Sequence, residues 1–402
     1  MNKKLSRILI YILPLVFLPG VIACCMSCSR AQSADVSQAN LHEVVSIMPD
    51  TAYAKGVSGC FAGSVKDYIL IAGGCNFPAI PAAEGGQKIF YRQIYKGALH
   101  SDTIVWNKVG ELPYDIAYGA TVSNGKELIL IGGKTVGKAI RDVWRMRLNK
   151  EGQAILDSLP PLPFTFDNGS ASLYKGYIYV VAGNQDDVPS KATWRLDLNK
   201  MQAGWRRLSD LPGKTRVQPV SAVCDSRLFV MGGFDGGNGS LPPTLSLDAY
   251  SLDLSVGDSS QTWQVVPAPT NQDTLVSVGG GCAVTTGHNI LCFGGVNKDI
   301  FMEALDRIYK LQTDSVNVSN LDSLKEVQSI YLKHPVSWYR FNPYLLAYKA
   351  QSATWKTCAH DAHKLSRAGA TAVKIDDHNI LVINGEIKPG IRTPMIVRIS
   401  IP

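Results

Sequence analysis

The sequence predicts an all-β protein built as a six-bladed β-propeller. Three observations support this: a glycine pair that recurs after an apolar run, aromatic residues that recur in the segments that follow, and a turn-rich composition with 36 glycines and 21 prolines in 402 residues. Such a composition is typical of a chain with many turns. Because 46% of the residues are hydrophobic and 18% are charged, the chain can bury a large core.

The repeat is an apolar β-run that ends in a glycine pair or, in the third and sixth copies, in Ala-Gly or Asn-Gly. Its six copies are residues 69–74, 128–133, 178–183, 228–233, 290–295 and 380–385. The repeated unit is about 50 residues long, with larger spacings where the chain carries insertions. A repeat of this length predicts a propeller or a solenoid.

Each unit contains four strand-like segments, which is the number in one propeller blade. A short strand and a turn precede the apolar run, and strands marked by aromatic residues follow it. The third-strand aromatics are Trp144, Trp194, Tyr250 and Tyr348, and the fourth-strand tryptophans are Trp106, Trp205, Trp263 and Trp355. This combination resembles the kelch motif, and six copies imply six blades. We expect the tryptophans to pack between blades and the glycines to lie where the blades crowd around the central channel.

The last unit lacks a fourth strand. Only one strand-like segment, residues 394–401, follows Gly385, whereas residues 43–48 form a strand with no hairpin partner. We therefore expect residues 41–48 to complete the last blade, so that residues 41–402 form the propeller. Pairing the two ends of the fold closes the ring and removes an exposed strand edge.

The largest spacing between repeats holds an insertion of about 40 residues in blade five. Apolar residues recur at nearly helical intervals in residues 299–312 and 321–332, which predicts two short helices. Because insertions in a propeller project from one face, we expect this one to cap or line a channel mouth.

The first 23 residues are typical of an export signal, with Lys3, Lys4 and Arg7 before an apolar stretch and small residues. Residues 21–24 resemble a bacterial lipobox, so Cys24 is predicted to be lipidated and residues 24–40 to form a tether. The alternative is an ordinary signal peptide with incidental cysteines. The lipobox predicts a periplasmic protein of a Gram-negative bacterium, held at the outer membrane by its lipid and by no other membrane contact.

Charge and cysteine content limit the partners. The net charge of +7 falls to +4 without the three basic residues of the signal, and no long Lys/Arg run follows residue 30. We therefore expect no nucleic-acid partner. Six cysteines remain after the signal and tether, each in or beside an apolar run, which favours core packing over disulfides. In an oxidised chain, Cys282 and Cys292 would be the expected pair because they flank one hairpin.

A metal site is suggested only by Cys358, His360 and His363, whose spacing is irregular and which fall on an outer strand and loop. We predict neither a metal nor a cofactor.

The loops after the glycine pairs converge on the channel, and the last of them carries unusual chemistry. Glu386 directly follows the strand, and Arg392 comes six residues later across a Pro-Gly turn. An acid and a guanidinium that face one pocket suit an anionic substrate undergoing proton transfer. The alternative is a surface loop in which Glu386 pairs with Lys388 or Arg392.

Residues 384–393 closely resemble a segment of the bacterial N-acetylneuraminate epimerase family, the sialic acid mutarotases. Residues 294–297, 300–301, 341–342 and 345–346 also match, as do Arg216, Gln218 and Glu84. The resemblance spans all six blades. The blade order is rotated, however, which indicates a cyclically permuted relative.

The resemblance implies that Glu386 accepts the proton and Arg392 binds the substrate while the α and β anomers of N-acetylneuraminate interconvert through ring opening. Further substrate-binding residues are then expected on the loops that converge on the channel: Arg216, Gln218, Asn297, Glu84 and Asn76.

Two positions depart from the family pattern. Ile116 and Lys134 stand where the family has an arginine and an acid, which affects the identity of the substrate. A sialidase is disfavoured because the chain has no Ser-x-Asp-x-Gly-x-x-Trp box. The other function left open is a non-catalytic kelch propeller that binds a glycan or a protein partner.

Overall fold

The computed structural model describes residues 36–313 and 318–402; the predicted signal peptide, Cys24 and most of the predicted tether lie outside these residues. Six antiparallel sheets, each with a core of four strands, follow one another along the chain. The predicted all-β, six-bladed propeller is therefore confirmed. Within the described ranges, no helix is long and apolar enough to cross a membrane.

The strands of each blade are given from the channel outward. Blade 1 is Phe61–Val65, Tyr68–Ala72, Gln93–Gly97 and Asn107–Glu111; blade 2 is Ala120–Ser123, Leu128–Ile131, Val143–Leu148 and Ala154–Leu159; blade 3 is Ser170–Tyr174, Tyr177–Val181, Thr193–Asp197 and Trp205–Arg207. Blade 4 is Val220–Cys224, Arg227–Met231, Ala249–Asp253 and Trp263–Val266; blade 5 is Cys282–Thr286, Asn289–Phe293, Tyr344–Lys349 and Thr354–His360; blade 6 is Thr371–Lys374, Asn379–Ile383, Ile396–Ser400 and Asn40–Ile47.

Blade 6 is completed by the N-terminal strand, as the sequence predicts. Asn40–Ile47 pairs antiparallel with Ile396–Ser400, with Asn40 opposite Ser400 and Val44 opposite Ile396. Its other edge pairs with Thr103–Val105, which forms a hairpin with Leu99–His100 between the third and fourth strands of blade 1. Both edges of the closing strand are therefore occupied.

The insertion in blade 5 contains the two predicted helices. Helix α1 is Lys298–Gln312, helix α2 is Val318–Tyr331, and a 3₁₀ turn, Val336–Tyr339, leads back to the third strand of the blade. A short helix, Ala362–Leu365, precedes blade 6, and further 3₁₀ turns are Val36–Gln38, Tyr53–Lys55, Ala82–Glu84, Met201–Ala203 and Asp258–Ser260.

Short strands outside the blades shape the loops. They are Cys75–Asn76 with Ile89–Phe90, Phe166–Asp167 with Asn184–Gln185 and Val188–Pro189, Phe234–Asp235 with Thr244–Leu245, Thr270–Asn271 with Thr274–Leu275, and Glu386–Lys388 with Ile391–Arg392. Four of these five sheets follow a glycine pair or its variant, so four of the six loops after the repeats contain such a short sheet.

The glycine pairs connect each blade to the next. The amide of Gly74 donates to Ile116 O at 2.8 Å, that of Gly133 to Phe166 O at 2.7 Å, and that of Gly385 to Val57 O at 3.0 Å. A Cβ on Gly73, whose φ is +62°, would lie 2.4 Å from Ile116 O. Glycine is therefore required because the backbones of neighbouring blades are in contact at this position. This contact, and not crowding around the channel axis, explains the glycine pair.

The fourth-strand tryptophans make the next contact between blades. The indole N–H groups of Trp205, Trp263 and Trp355 donate to the carbonyl oxygens of Pro160, Ser209 and Pro267, at 2.9, 3.1 and 2.8 Å. Each acceptor follows the outer strand of the preceding blade. Trp106 repeats the pattern by donating to Ser46 Oγ on the closing strand at 2.9 Å. The predicted packing of the tryptophans between blades is confirmed.

A closed circle of backbone hydrogen bonds surrounds the channel. Six residues, one ahead of the inner strand of each blade, form what we call the channel ring: Gly59, Tyr118, Asn168, Gln218, Gly280 and Gly369. Each amide donates to the carbonyl oxygen of the preceding member at 2.6–3.0 Å, and Gly59 completes the circle by donating to Gly369. All six have positive φ, between +51° and +73°.

The cysteines outside the predicted signal and tether contribute mainly to packing. Cys60, Cys75, Cys224, Cys282 and Cys292 are buried thiols, and Cys358 is partly exposed. Cys282 and Cys292 belong to different core clusters on either side of their blade and do not form the pair that an oxidised chain was expected to make. No cluster of His, Cys, Asp and Glu among the described residues could hold a metal ion.

Candidate active site

Glu386 and Arg392 lie opposite each other on the small hairpin that follows the second strand of blade 6. The Pro389-Gly390 turn, in which Gly390 has a φ of +86°, reverses the chain and brings the two residues into register. Arg392 Nη2 and Glu386 Oε2 form an ion pair at 2.8 Å. The six-residue spacing seen in the sequence therefore places the acid and the guanidinium side by side.

Arg392 is held firmly but keeps one donor unused. Its side chain is only 3% exposed, Nε donates to Ser58 Oγ at 3.0 Å, and the guanidinium lies 5.1 Å from the ring centroid of Phe77. Nη1 is buried and has no hydrogen-bond partner among the described residues. Because buried donors are rarely left unpaired in folded proteins, this nitrogen is a candidate contact for a ligand.

Glu386 has the environment of a general base. Its side chain is 24% exposed, and the Gly390 amide donates weakly to Oε1 at 3.3 Å. Burial raises the pKa of the carboxyl group, although the Arg392 charge and the Gly390 hydrogen bond oppose this shift. A carboxylate whose pKa lies closer to neutrality is a better proton acceptor for a hydroxyl group.

The pair faces a cavity of about 420 Å³ at one mouth of the channel. Its polar lining residues are Lys88, Lys134, Glu386, Arg392, Ser58, Tyr118, Asn168 and Gln218. Its apolar and aromatic lining residues include Phe77, Phe234, Val296, Phe301, Tyr331 and Phe341. A narrower cavity of about 230 Å³, lined by all six members of the channel ring, continues along the axis. The mouth therefore suits a small anionic ligand with both polar and apolar faces.

The insertion in blade 5 supplies several of the apolar lining residues, in agreement with the expectation that it lines a channel mouth. Phe301 of α1 packs edge to face on Phe234, with centroids 4.8 Å apart, and Tyr331 lies at the end of α2. Lys388 Nζ donates to Leu332 O at 3.2 Å and to His334 O at 2.8 Å. The hairpin with Glu386 is thus bonded directly to the insertion.

Sequence reasoning missed a polar cluster around Tyr118. Cys75 Sγ donates to Tyr118 Oη at 3.0 Å, and Lys88 Nζ donates to the same oxygen at 3.3 Å. Burial and the neighbouring Cys75 raise the pKa of the phenol, whereas Arg392 acts in the opposite direction. The only signal in the sequence is that Tyr118 lies two residues after Ile116, one of the two positions that depart from the family pattern.

Gln218 is a predicted binding residue that the structure brings to the cavity. It belongs to the channel ring, and its Nε2 donates to Asn168 Oδ1 at 2.9 Å. Asn168 Nδ2 and Asn184 Nδ2 in turn donate to Asp167 Oδ1 at 2.5 and 2.8 Å. A chain of amides therefore fixes the orientation of Gln218 toward the channel.

Arg216, by contrast, does not offer its guanidinium to a ligand. The side chain is fully buried; Nη1 and Nη2 pair with Asp248 at 2.5 and 3.1 Å, and Nη1 also donates to Gly232 O at 3.1 Å. A buried guanidinium needs such partners, and here they hold it inside blade 4. In this structure Arg216 therefore stabilises its blade and does not line the cavity, and its predicted role in substrate binding stays a prediction.

Three other predicted binding residues also lie outside the lining of the cavity. Asn76 is buried, with Nδ2 donating to Ala52 O and Gly56 O at 2.9 and 2.8 Å and Oδ1 accepting from Tyr91 Oη at 2.8 Å. Asn297 caps α1 by accepting from the amides of Asp299 and Ile300, each at 3.1 Å. Glu84 ends a 3₁₀ turn and is exposed. Asn76 and Asn297 therefore stabilise the loops around the site.

The two departures from the family pattern occupy different environments. Ile116 is fully buried in the core between blades 1 and 2 and does not line the cavity. Lys134 does line it and forms an ion pair with Asp187 at 3.5 Å. Of the two, only Lys134 can contact a ligand directly.

The fold and site define a six-bladed kelch-type propeller whose channel mouth holds a recessed acid–guanidinium pair. A sequence model of the family described as N-acetylneuraminate epimerase matches residues 18–155 and 159–402. The chain belongs to this N-acetylneuraminate epimerase family. The rotated blade order inferred from the sequence stays a prediction.

Curated relatives carry the same description. The N-acetylneuraminate epimerase of Salmonella typhi is 30% identical over 252 residues, which cover 60% of this chain and 58% of the relative. That of Yersinia pestis (strain Pestoides F) is 30% identical over 244 residues, covering 60% and 57%. The alignments thus span less than two thirds of these relatives. A solved structure described as "Structure of YjhT" is 24% identical with a TM-score of 0.49, covering 60% of this chain and 65% of that one.

Proposed function

We propose that the protein is a mutarotase that interconverts the α and β anomers of N-acetylneuraminate by acid/base ring opening. The observation that carries this proposal is the Glu386–Arg392 pair, in which Arg392 Nη1 is buried without a partner at the edge of a ligand-sized cavity. Membership of the epimerase family and the names of its curated members support the same reaction.

The sugar carboxylate would bind on the positive side of the cavity. Arg392 Nη1 offers an unused N–H, and Lys88 lies within 5.8 Å of the ring of Phe77, against which the guanidinium also lies. A guanidinium binds a carboxylate with defined geometry, so the anchored sugar would present its anomeric carbon at a fixed position. The apolar lining residues would contact the less polar parts of the sugar.

Glu386 would then act as the base. Its carboxylate removes the proton of the anomeric hydroxyl, the bond between the anomeric carbon and the ring oxygen breaks, and the ring oxygen takes up a proton. Closure on the other face of the carbonyl, with return of the proton from Glu386, gives the other anomer. A positioned general base contributes on the order of 100- to 10,000-fold, which suffices for a reaction that also proceeds in water.

Proton NMR of freshly released α-N-acetylneuraminate, with and without the protein, tests this function. We expect faster anomer exchange with the wild type and a loss of about 100-fold or more with Glu386→Gln. Glu151→Gln, which changes an exposed glutamate in blade 2, is the matched control and should behave like the wild type. Unchanged exchange with saturable line broadening would favour a non-catalytic binding propeller, and full activity of Glu386→Gln would contradict the assigned base.

We also propose that the protein is exported and held at the outer membrane by a lipid on Cys24. The support is the lipobox-like segment at residues 21–24. Replacing the modified cysteine by Cys24→Ser should move the protein from the membrane fraction to the soluble periplasmic fraction and abolish labelling by a fatty acid. Cys28→Ser is the control and should leave both unchanged; a labelled, membrane-bound Cys24→Ser protein would contradict the anchor.

A further inference from the structure

Tyr118 occupies an unusual backbone position beside the acid–guanidinium pair. It is an aromatic residue with a φ of +64°, a conformation that side-chain-bearing residues rarely adopt. Its ring lies over Gly59, where a Cβ would come within 2.6 Å of Tyr118 Cδ1, and it meets Phe90 edge to face at 6.3 Å. Strained backbone of this kind concentrates at functional sites, where the surrounding structure must hold it in place.

The hydroxyl of Tyr118 is surrounded by donors. Cys75 Sγ and Lys88 Nζ both donate to Oη, and the positive charge of Arg392 lies close enough to favour the phenolate. Among the described residues, no oxygen or nitrogen accepts a hydrogen bond from this hydroxyl. Because the Lys88 ammonium can only donate to Oη, the hydroxyl can direct its own proton to a ligand in the cavity.

We propose that Tyr118 is a second catalytic residue, which donates the proton that the sugar ring oxygen takes up when the ring opens. The inference rests on the proposed mutarotase function and assigns the acid that complements the base Glu386. Both residues line the same cavity, together with Arg392.

The proton transfers balance over one cycle. In opening, Glu386 takes the proton of the anomeric hydroxyl, the electrons of the ring C–O bond pass to the ring oxygen, and Tyr118 protonates that oxygen and becomes a phenolate. In closing, the phenolate removes the same proton as the hydroxyl attacks the carbonyl carbon, and Glu386 returns its proton to the carbonyl oxygen. No oxidant, reductant or co-reactant is needed.

The surroundings suit a donor that must be protonated before each turnover. The raised pKa keeps the phenol neutral throughout the physiological range. Lys88 and Arg392 can stabilise the negative charge that develops on the oxygen during transfer, which is the kind of preorganised stabilisation that speeds proton transfer in recessed sites.

The first test is Tyr118→Phe, which keeps the ring and its contacts with Gly59 and Phe90 and removes only the hydroxyl. We expect kcat for anomer exchange to fall about 100-fold while KM changes less than about threefold, since the lost interaction acts in the transition state. Tyr114→Phe is the matched control in the same inter-blade segment; Tyr114 is 43% exposed and should tolerate the change without loss.

The results separate this inference from the proposed function. The donor role alone would be overturned if the wild type is active and Tyr118→Phe is equally active, or if Tyr118→Phe changes only KM. A wild type that does not accelerate exchange would remove both proposals.

A second variant guards against a purely structural effect. Replacing Tyr118 by 3,5-difluorotyrosine leaves packing nearly unchanged but makes the phenol more acidic. The donor role predicts that kcat then changes while KM stays within about threefold of the wild-type value, because the acidity of the phenol affects proton transfer and not substrate binding. An unchanged kcat would overturn the inference, because a structural role does not depend on the acidity of the hydroxyl.

Discussion

Blades 2 to 4 and the other three blades build the channel ring from the same backbone but place different residues in it. Three residues with polar groups stand in the first half and three glycines in the second: Tyr118, Asn168, Gln218 and Gly280, Gly369, Gly59. All share the left-handed conformation, so the difference lies in the side chains alone. The side chains of Tyr118, Asn168 and Gln218 line the cavity. The three glycines place no side chain there.

The glycines are needed because of the side chains opposite or beside them. A Cβ on Gly59 would meet the ring and the amide of Tyr118 at 2.6 and 2.9 Å, and one on Gly280 would meet Gln218 Oε1 at 2.9 Å. A Cβ on Gly369 would come no closer than 3.3 Å, to Ser58 Cβ. Two of the three glycines therefore make room for the functional half, and the two halves form one site.

The largest effect is expected from removing the N-terminal strand that closes blade 6, in the half of the propeller with the ring glycines. Deleting Asn40–Ile47 removes the outer strand of blade 6 and exposes the edge of Ile396–Ser400, so we expect loss of the cooperative fold and of activity together. Far-UV circular dichroism and thermal scans check this. A truncated protein that stays folded and active would show that closure is dispensable.

The next largest effect is expected from the substitution Gly59→Ala. The left-handed φ of +64° costs alanine about 1–2 kcal/mol, and the clash with Tyr118 adds to this cost, so we expect a loss of more than about 2 kcal/mol. Gly85→Ala is the control, because Gly85 has a φ of +83° but nothing within 4 Å of its added Cβ. Urea unfolding measures both. If Gly59→Ala and Gly85→Ala lose equal free energies of unfolding, contact with Tyr118 is not the reason that residue 59 must be glycine.

The two halves should also differ in their response to pH. Glu386, on the glycine side, must be ionised to act, and its pKa is raised above the ordinary 4.5, so activity should fall about tenfold per pH unit below that raised value. Tyr118 must be protonated, and its raised pKa predicts no loss from the phenol below its ordinary value of 10.0. Exchange rates corrected for the spontaneous reaction test this; an acid limb at or below pH 4.5 would contradict the raised carboxyl pKa.

The smallest effect is expected from Asn168→Gly, which places a glycine at a ring position that carries a side chain. Glycine relieves the strain of a φ of +52°, by about 1 kcal/mol, but removes the hydrogen bonds that Asn168 accepts from Gln218 and donates to Asp167, at about 1 kcal/mol each, so we expect a net loss of about 1 kcal/mol. Thermal unfolding should therefore change little. A loss above about 2 kcal/mol would show that the chain of amides contributes more than its single hydrogen bonds.

Local patterns predicted the blades and the acid–guanidinium hairpin well. The strand and glycine repeats depend on neighbours in the sequence, and Glu386 faces Arg392 because only a short turn separates them. Asp248, the partner of Arg216, and Cys75, the partner of Tyr118, lie far from these residues in the sequence. No spacing rule connects the members of either pair. The channel ring also escaped prediction because Tyr118, Asn168 and Gln218 adopt positive φ without being glycine.

The closing strand of blade 6 has a consequence for the order of folding. Because Asn40–Ile47 pairs with Ile396–Ser400, the ring cannot be completed until the chain has been synthesised as far as Ser400. Contacts between such distant segments are slow to form, and the incomplete array would expose strand edges to other chains in the meantime. Once formed, the pairing between these two strands should slow unfolding, so the folded protein should be kinetically stable.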